Sequence, residues 1–141
     1  MPLLEQVLEK NPDTVKLVYK NFPIGSHKFA LQAATAALAA GAQGKFWEFH
    51  DQLFQNYNKL SDQKINEIAL SLNIDQEAYQ QKLKDPEIGN LIRRDTMEGR
   101  LIGVRGTPTI FINGRRLQNR SLNGFQEIID SELAKLSKKK P

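Results

Sequence analysis

Apolar positions recur along most of the chain at the spacing of a helix, and at two places they alternate as in a strand. Leu3, Leu4, Val7 and Leu8 share one helical face, so residues 2–10 are expected to form a helix. Pro2 suits its first turn, and Asn11-Pro12-Asp13 ends it. In "TVKLVYKNF", Val15, Leu17 and Tyr19 alternate with Lys16, Val18 and Lys20, which predicts a strand over Thr14–Tyr19. "FALQAATAALAA" from Phe29 to Ala40 is rich in the strongest helix former, with Gly41 as its expected C-terminal cap. Phe46, Phe49, His50, Leu53, Phe54 and Tyr57 then form one broad stripe. Ser61, Asp75 and Asp85 each precede a further amphipathic run and can cap it; Pro86 reinforces the last start. That last helix carries Ile88, Leu91, Ile92 and Ile102 and is expected to reach about Gly103. Thr109-Ile110-Phe111-Ile112 is a short apolar β run, and Asn113-Gly114 is a two-residue hairpin signal returning through Arg115–Gln118. Residues 123–137 close the pattern as an amphipathic helix carrying Phe125, Ile128, Ile129, Leu133 and Leu136. No internal repeat, low-complexity linker or domain boundary interrupts this order.

The 141 residues suit one domain, and 40% apolar with 26% charged residues is the globular range. The net charge of +4 changes little, because Lys138, Lys139 and Lys140 supply most of it. That run is expected to be a solvated basic tail over residues 138–141, and no nucleic-acid partner is expected from the charge. No stretch of about 18 apolar residues exists, so no membrane partner is expected either. Glu5 follows directly on Met1-Pro2-Leu3-Leu4, so the sequence carries no signal-peptide pattern. There is no cysteine, which excludes disulfides, thiolate metal sites and thiol catalysis by these residues.

The remaining chemistry-bearing residues point to packing rather than catalysis. His27 and His50 are the only histidines; they lack H-x-x-x-H spacing, and His50 lies in the aromatic stripe. Both are expected to pack or cap, with no metal bound. Phe46, Trp47, Phe49 and Phe54 are expected in the core. Glu48 with Asp51, and Asp95 with Glu98, are i, i+3 carboxylate pairs expected to be solvated. Arg93, Arg94, Arg100 and Arg105 suit the C-terminal end of their helix, while Arg115, Arg116 and Arg120 cluster by the hairpin. No phosphate-binding loop or Ser/His/Asp spacing is present, and no cofactor is expected.

Four segments together carry a resemblance: "VKLVYKNFPI", "SHKFALQAATAALAAGAQGKFWEFHDQLF", "GVRGTPTIFINGRRL" and the final helix. In that order they resemble the DsbA-like thiol–disulfide oxidoreductases, from about residue 3 to residue 136. The resemblance implies an α/β, thioredoxin-like fold with an inserted helical subdomain over residues 27–103, within a single incomplete domain spanning 1–141. The family's first core strand and its Cys-X-X-Cys would lie upstream of Met1. That strand would run between the Thr14–Tyr19 and Thr109–Ile112 strands.

The same resemblance makes Pro108 the family's cis-proline and Thr107 the residue that offers its backbone to an extended substrate. Gly106, Thr107 and Pro108 are therefore the candidate substrate-binding residues, with no catalytic residue in the chain. By pattern alone a trans proline opening a strand is favoured, since only ~5–6% of X-Pro bonds are cis. The implied function is that of a DsbA-family oxidoreductase represented by its C-terminal portion, acting on protein or peptide substrates with thiols or disulfides. The alternative is a non-catalytic thioredoxin-fold module that binds peptides or a partner. A lost central strand would leave open sheet edges, so a homo-oligomer or domain-swapped dimer is expected. The family implies a periplasmic or extracytoplasmic location.

Overall fold

The computed structural model describes residues 2–139. Met1, Lys140 and Pro141 lie outside them, and with them part of the expected basic tail. The chain divides into two compact units: residues up to Tyr19 together with those from Gly106 onward, and the intervening Lys20–Arg105.

The intervening unit is all helix. It holds α2 (Ala30–Gly41), α3 (Phe46–Gln55), a short 3-10 turn (Tyr57–Lys59), α4 (Asp62–Ser71), α5 (Gln76–Leu83) and α6 (Pro86–Leu101). Each boundary has a local cause. Ser61 accepts from the Lys64 amide, Asp75 from Ala78 and Asp85 from Glu87, each cap satisfying an N–H that the helix leaves open. The alanine helix α2 touches α3, α4, α5 and α6. Its small side chains let four neighbours approach, and Ala36, Ala39 and Ala40 are buried among Phe49, Leu53, Ile65, Ile68, Tyr79, Ile88 and Ile92. Gly41 is not the expected cap. It is the last helical residue, and a Cβ there would stand 3.3 Å from that of Phe46. The left-handed turn falls instead to Gly44, at φ 74°.

The aromatic stripe of α3 also departs from expectation. Phe49, His50 and Leu53 are buried, but Trp47, Phe54 and Tyr57 are exposed. One face of α3 meets α2 and α4, and a stripe this broad overhangs that contact. Ile102, expected on the buried face of α6, is exposed because the helix has ended at Leu101.

The other unit is built from α1 (Pro2–Lys10), β1 (Phe111–Ile112), β2 (Arg115–Arg116) and α7 (Leu122–Lys139). Val7, Leu117, Phe125 and Ile129 form its core, with Leu3, Leu4, Val15, Ile110, Ile112, Leu122, Ile128 and Leu133 packed around them. Asn11 is buried at the end of α1. Its Nδ2 donates to the Val7 carbonyl at 2.8 Å and to Gln126 Oε1 at 3.1 Å, and Gln126 Nε2 donates back to Asn11 Oδ1 at 3.1 Å. This reciprocal amide pair fastens α1 to α7.

The β structure is smaller than the alternation predicts. The Thr14–Tyr19 strand is not formed as a paired strand. Val15 and Leu17 are half-buried as the alternation predicts, but Tyr19 is exposed with Val18 and Lys20, and no neighbouring strand is hydrogen-bonded to the segment among the described residues. A strand is defined by its ladder, and alternation alone supplies none. The run 109–112 shortens to Phe111–Ile112 for the same reason, pairing antiparallel with Arg115–Arg116 and extended by one bond from Leu117 N–H to the Ile110 carbonyl, 2.9 Å. Asn113 (φ 48°) and Gly114 (φ 80°) make the turn, both left-handed as a two-residue hairpin requires. At the other end, Lys138 and Lys139 are the last turn of α7 rather than a loose tail. No helix among the described residues is long and apolar enough to cross a membrane.

Candidate substrate-binding loop

Gly106, Thr107, Pro108 and Thr109 form the loop that enters β1. The structure brings all three sequence-predicted residues together here, and Thr107 and Pro108 are exposed. The Thr107–Pro108 peptide bond is cis.

Two hydrogen bonds brace the loop. The Thr109 hydroxyl donates to the Gly106 carbonyl at 2.7 Å and closes it across its base. Arg120 Nη1 donates to the Pro108 carbonyl at 3.3 Å from the segment before α7. Between these braces, Thr107 remains available. Among the described residues, no backbone–backbone hydrogen bond uses its N–H or its carbonyl. An exposed peptide unit with an open donor and acceptor can pair with the backbone of an extended chain. The hairpin behind the loop is tied to α7 by Arg115, whose Nη1 reaches Ser131 Oγ at 3.2 Å and Glu132 Oε1 at 3.1 Å. Lys135, and after it Arg115, hold the Glu132 carboxyl below the usual carboxylate range.

Neither brace is legible in the sequence. Arg120 counts there as one of a basic cluster, and twelve residues separate it from Pro108. Thr109 reads as a strand residue. What the loop lacks is a nucleophile. Thiol–disulfide exchange needs a thiolate attacking a disulfide sulfur. The chain has no cysteine.

The other sequence candidates lie elsewhere. Among the described residues no group of His, Cys, Asp and Glu could hold a metal ion. His50 is buried beside Phe46, Trp47 and Phe54, with Nδ1 at 3.0 Å from Asp51 Oδ1, so Asp51 is a histidine partner rather than simply solvated. Asp95 corrects the reading of the carboxylate pairs. It is 4% exposed, accepting from the Asn21 amide at 2.9 Å, from Asn21 Nδ2 at 3.0 Å and from Lys20 Nζ at 3.3 Å. Spacing alone cannot show that α6 turns position 95 inward onto a segment seventy-four residues away.

Known proteins share this fold. A family model described as Thioredoxin matches residues 2–131. The chain belongs to the thioredoxin family. Its fold is thioredoxin-like in the DsbA-like manner. It superposes with a TM-score of 0.81 on a thioredoxin-like oxidoreductase from Silicibacter pomeroyi DSS-3, at 26% identity, covering 95% of this chain and 77% of that one. The thiol-disulfide exchange protein alpha-DsbA2 from Wolbachia pipientis shares the fold at a TM-score of 0.78 and 24% identity, over 92% of this chain and 71% of that one.

Among curated proteins, "Probable disulfide bond formation protein D" of Bacillus anthracis is 32% identical over 142 residues, 94% of this chain. The chain spans 64% of that protein's length. A second relative, named Na(+)/H(+) antiporter NhaA 3, from Salinispora tropica, is 36% identical over 104 residues, 73% of this chain. The chain spans 16% of that protein.

Proposed function

We propose that this chain is the substrate-holding, C-terminal portion of a DsbA-like thiol–disulfide oxidoreductase. In this reading the loop Gly106–Thr107–Pro108 pairs with an extended polypeptide that carries a thiol or disulfide. The helical residues 27–103 are the family's insertion within one thioredoxin-like domain. The observation that carries the proposal is the open backbone of Thr107, exposed between the Thr109 and Arg120 braces. Exchange itself requires a cysteine pair that these residues do not supply.

The substrates are proteins or peptides with thiols or disulfides, and the setting is extracytoplasmic, where disulfides persist. Among the described residues, Lys16–Val18 make no backbone–backbone hydrogen bond and β1 is paired on one side only, which supports self-association as a homo-oligomer or swapped dimer. The absence of cysteine favours a second reading, a thioredoxin-fold module that binds peptides without chemistry.

The test is fluorescence anisotropy of a labelled, reduced and alkylated unfolded protein titrated with the chain. Saturable binding weakened about tenfold by Thr107→Pro, which removes the N–H donor, is the expected result. Equal binding by the variant, with its circular dichroism unchanged, sinks the assignment of the loop. A thiol-oxidation assay run alongside is expected to show no turnover above the uncatalysed rate.

A further inference from the structure

One surface of the helical unit is not accounted for by the loop. Helix α6 buries Ile88, Ile92 and Asp95 on one side. At 3.6 residues per turn, Arg94, Met97 and Leu101 fall on the opposite side at i, i+3 and i+7 spacing. Met97 is 62% exposed, Leu101 83% and the following Ile102 60%. They are therefore no spill-over from the core stripe, which points the other way. Lone exposed apolar residues need no explanation, but three clustered at one helix end do.

The charges around them narrow the occupant. Arg94, Arg100 and Arg105 are exposed, and no guanidinium group of the three has a hydrogen-bond or ion-pair partner among the described residues. The neighbouring acid, Glu98, is already held by Lys20 at 3.1 Å. The surface thus carries three exposed apolar side chains at the end of α6, with Arg94 and Arg100 on the same helix and Arg105 just beyond its end, their charge unspent.

We propose that this face of α6 docks an acidic amphipathic helix of a partner protein, its apolar i, i+4 pair packing on Met97, Leu101 and Ile102 and its carboxylates pairing with the arginines. The α6 backbone is internally hydrogen-bonded, so it offers no edge for strand addition; contact is by side chains, as when the ridges of two helices interlock. A second copy of this chain fits poorly, because two-fold pairing would set arginine against arginine. An anionic membrane also fits less well: interfacial helices carry a long apolar face with aromatic anchors, and this patch has three aliphatic side chains. So small a patch falls well short of the ~800 Å² per partner of a stable complex, which makes the contact transient. It does not rest on the loop's assignment, since the two surfaces are separate stretches of sequence.

The test uses the 15N-labelled chain and a short synthetic helical peptide with a leucine i, i+4 pair flanked by glutamates. Its expected signature is amide shifts confined to residues 93–105, lost at high salt. Arg94→Glu and Leu101→Ser, both solvent-facing, are each expected to weaken binding about tenfold with the thermal melt unchanged. The proposal is overturned if a lysine-flanked version of the peptide binds as well, or if the shifts map outside 93–105. It is equally overturned if anionic phosphatidylglycerol vesicles, or raised protein concentration alone, give these shifts and the peptide does not. Shifts at 106–109 without shifts at 93–105 would spare the loop and remove this surface.

Discussion

Asp95 shows how one residue's surroundings decide its part. Its carboxylate is buried, yet the cation beside it, Lys20, keeps its side chain 57% exposed. Deleting the lysine removes a largely exposed ammonium and leaves the Asp95 carboxylate its two Asn21 donors, whereas deleting the aspartate strands the buried Asn21 amide and side chain. Asp95→Ala is therefore expected to cost about 1–3 kcal/mol in urea unfolding. Lys20→Ala is expected to cost less than about 1 kcal/mol. The reverse order would mean that the ion pair, not the Asn21 hydrogen bonds, fastens this segment.

Tyr79 gives a second residue-scale prediction. It is 2% exposed and stacked on Phe49 at 6.2 Å, and burial pushes its hydroxyl up to about 12. The phenol stays neutral in the folded protein while its unfolded counterpart ionises near 10. Stability linked to this group is complete below pH 10 and is lost as pH rises toward 12. Alkaline unfolding should accordingly shift to higher pH in Tyr79→Phe, followed by tyrosinate absorbance; no shift would contradict the burial of this hydroxyl.

At the scale of elements, α7 depends on a close approach. A Cβ on Gly124 would clash with the Asn119 carbonyl oxygen and lie 2.8 Å from the Asn119 Cβ. Backbone cannot yield as a flexible side-chain end can, so Gly124→Ala is expected to destabilise by about 1–3 kcal/mol in denaturant melts, despite alanine's better helix propensity. A neutral or stabilising result would show that this approach is looser.

Such approaches mark where the sequence is legible and where it is not. The starts of α4, α5 and α6 can be read because each rests on a side chain three residues or fewer from the amide it caps. The Asn113-Gly114 turn is legible because only a few residue types accept its backbone angles. The strand over Thr14–Tyr19 and the inward turn of Asp95 are not, because both depend on partners far along the chain. The candidate loop falls between these cases: the motif marks Gly106–Pro108, and the braces from Thr109 and Arg120 appear only in three dimensions.

At the scale of the whole molecule, the described residues keep a thioredoxin-like core with little sheet. Among them, Lys16–Val18 form no backbone–backbone hydrogen bonds, and β1 is paired on one side only. Unsatisfied edges favour association, so light scattering at micromolar concentration is expected to give a mass above that of one chain. A single-chain mass across that range would contradict self-association. The more central claim is that a cysteine-free chain of this family still holds polypeptide substrates at its proline loop.

The most direct measurement is a 15N NMR titration of the intact chain with an extended, thiol-blocked peptide. Saturable shifts are expected at the amides of Gly106, Thr107 and Thr109, with Pro108 silent because it has no N–H. Saturable binding that leaves these three amides unmoved, or no binding at all, would contradict that claim.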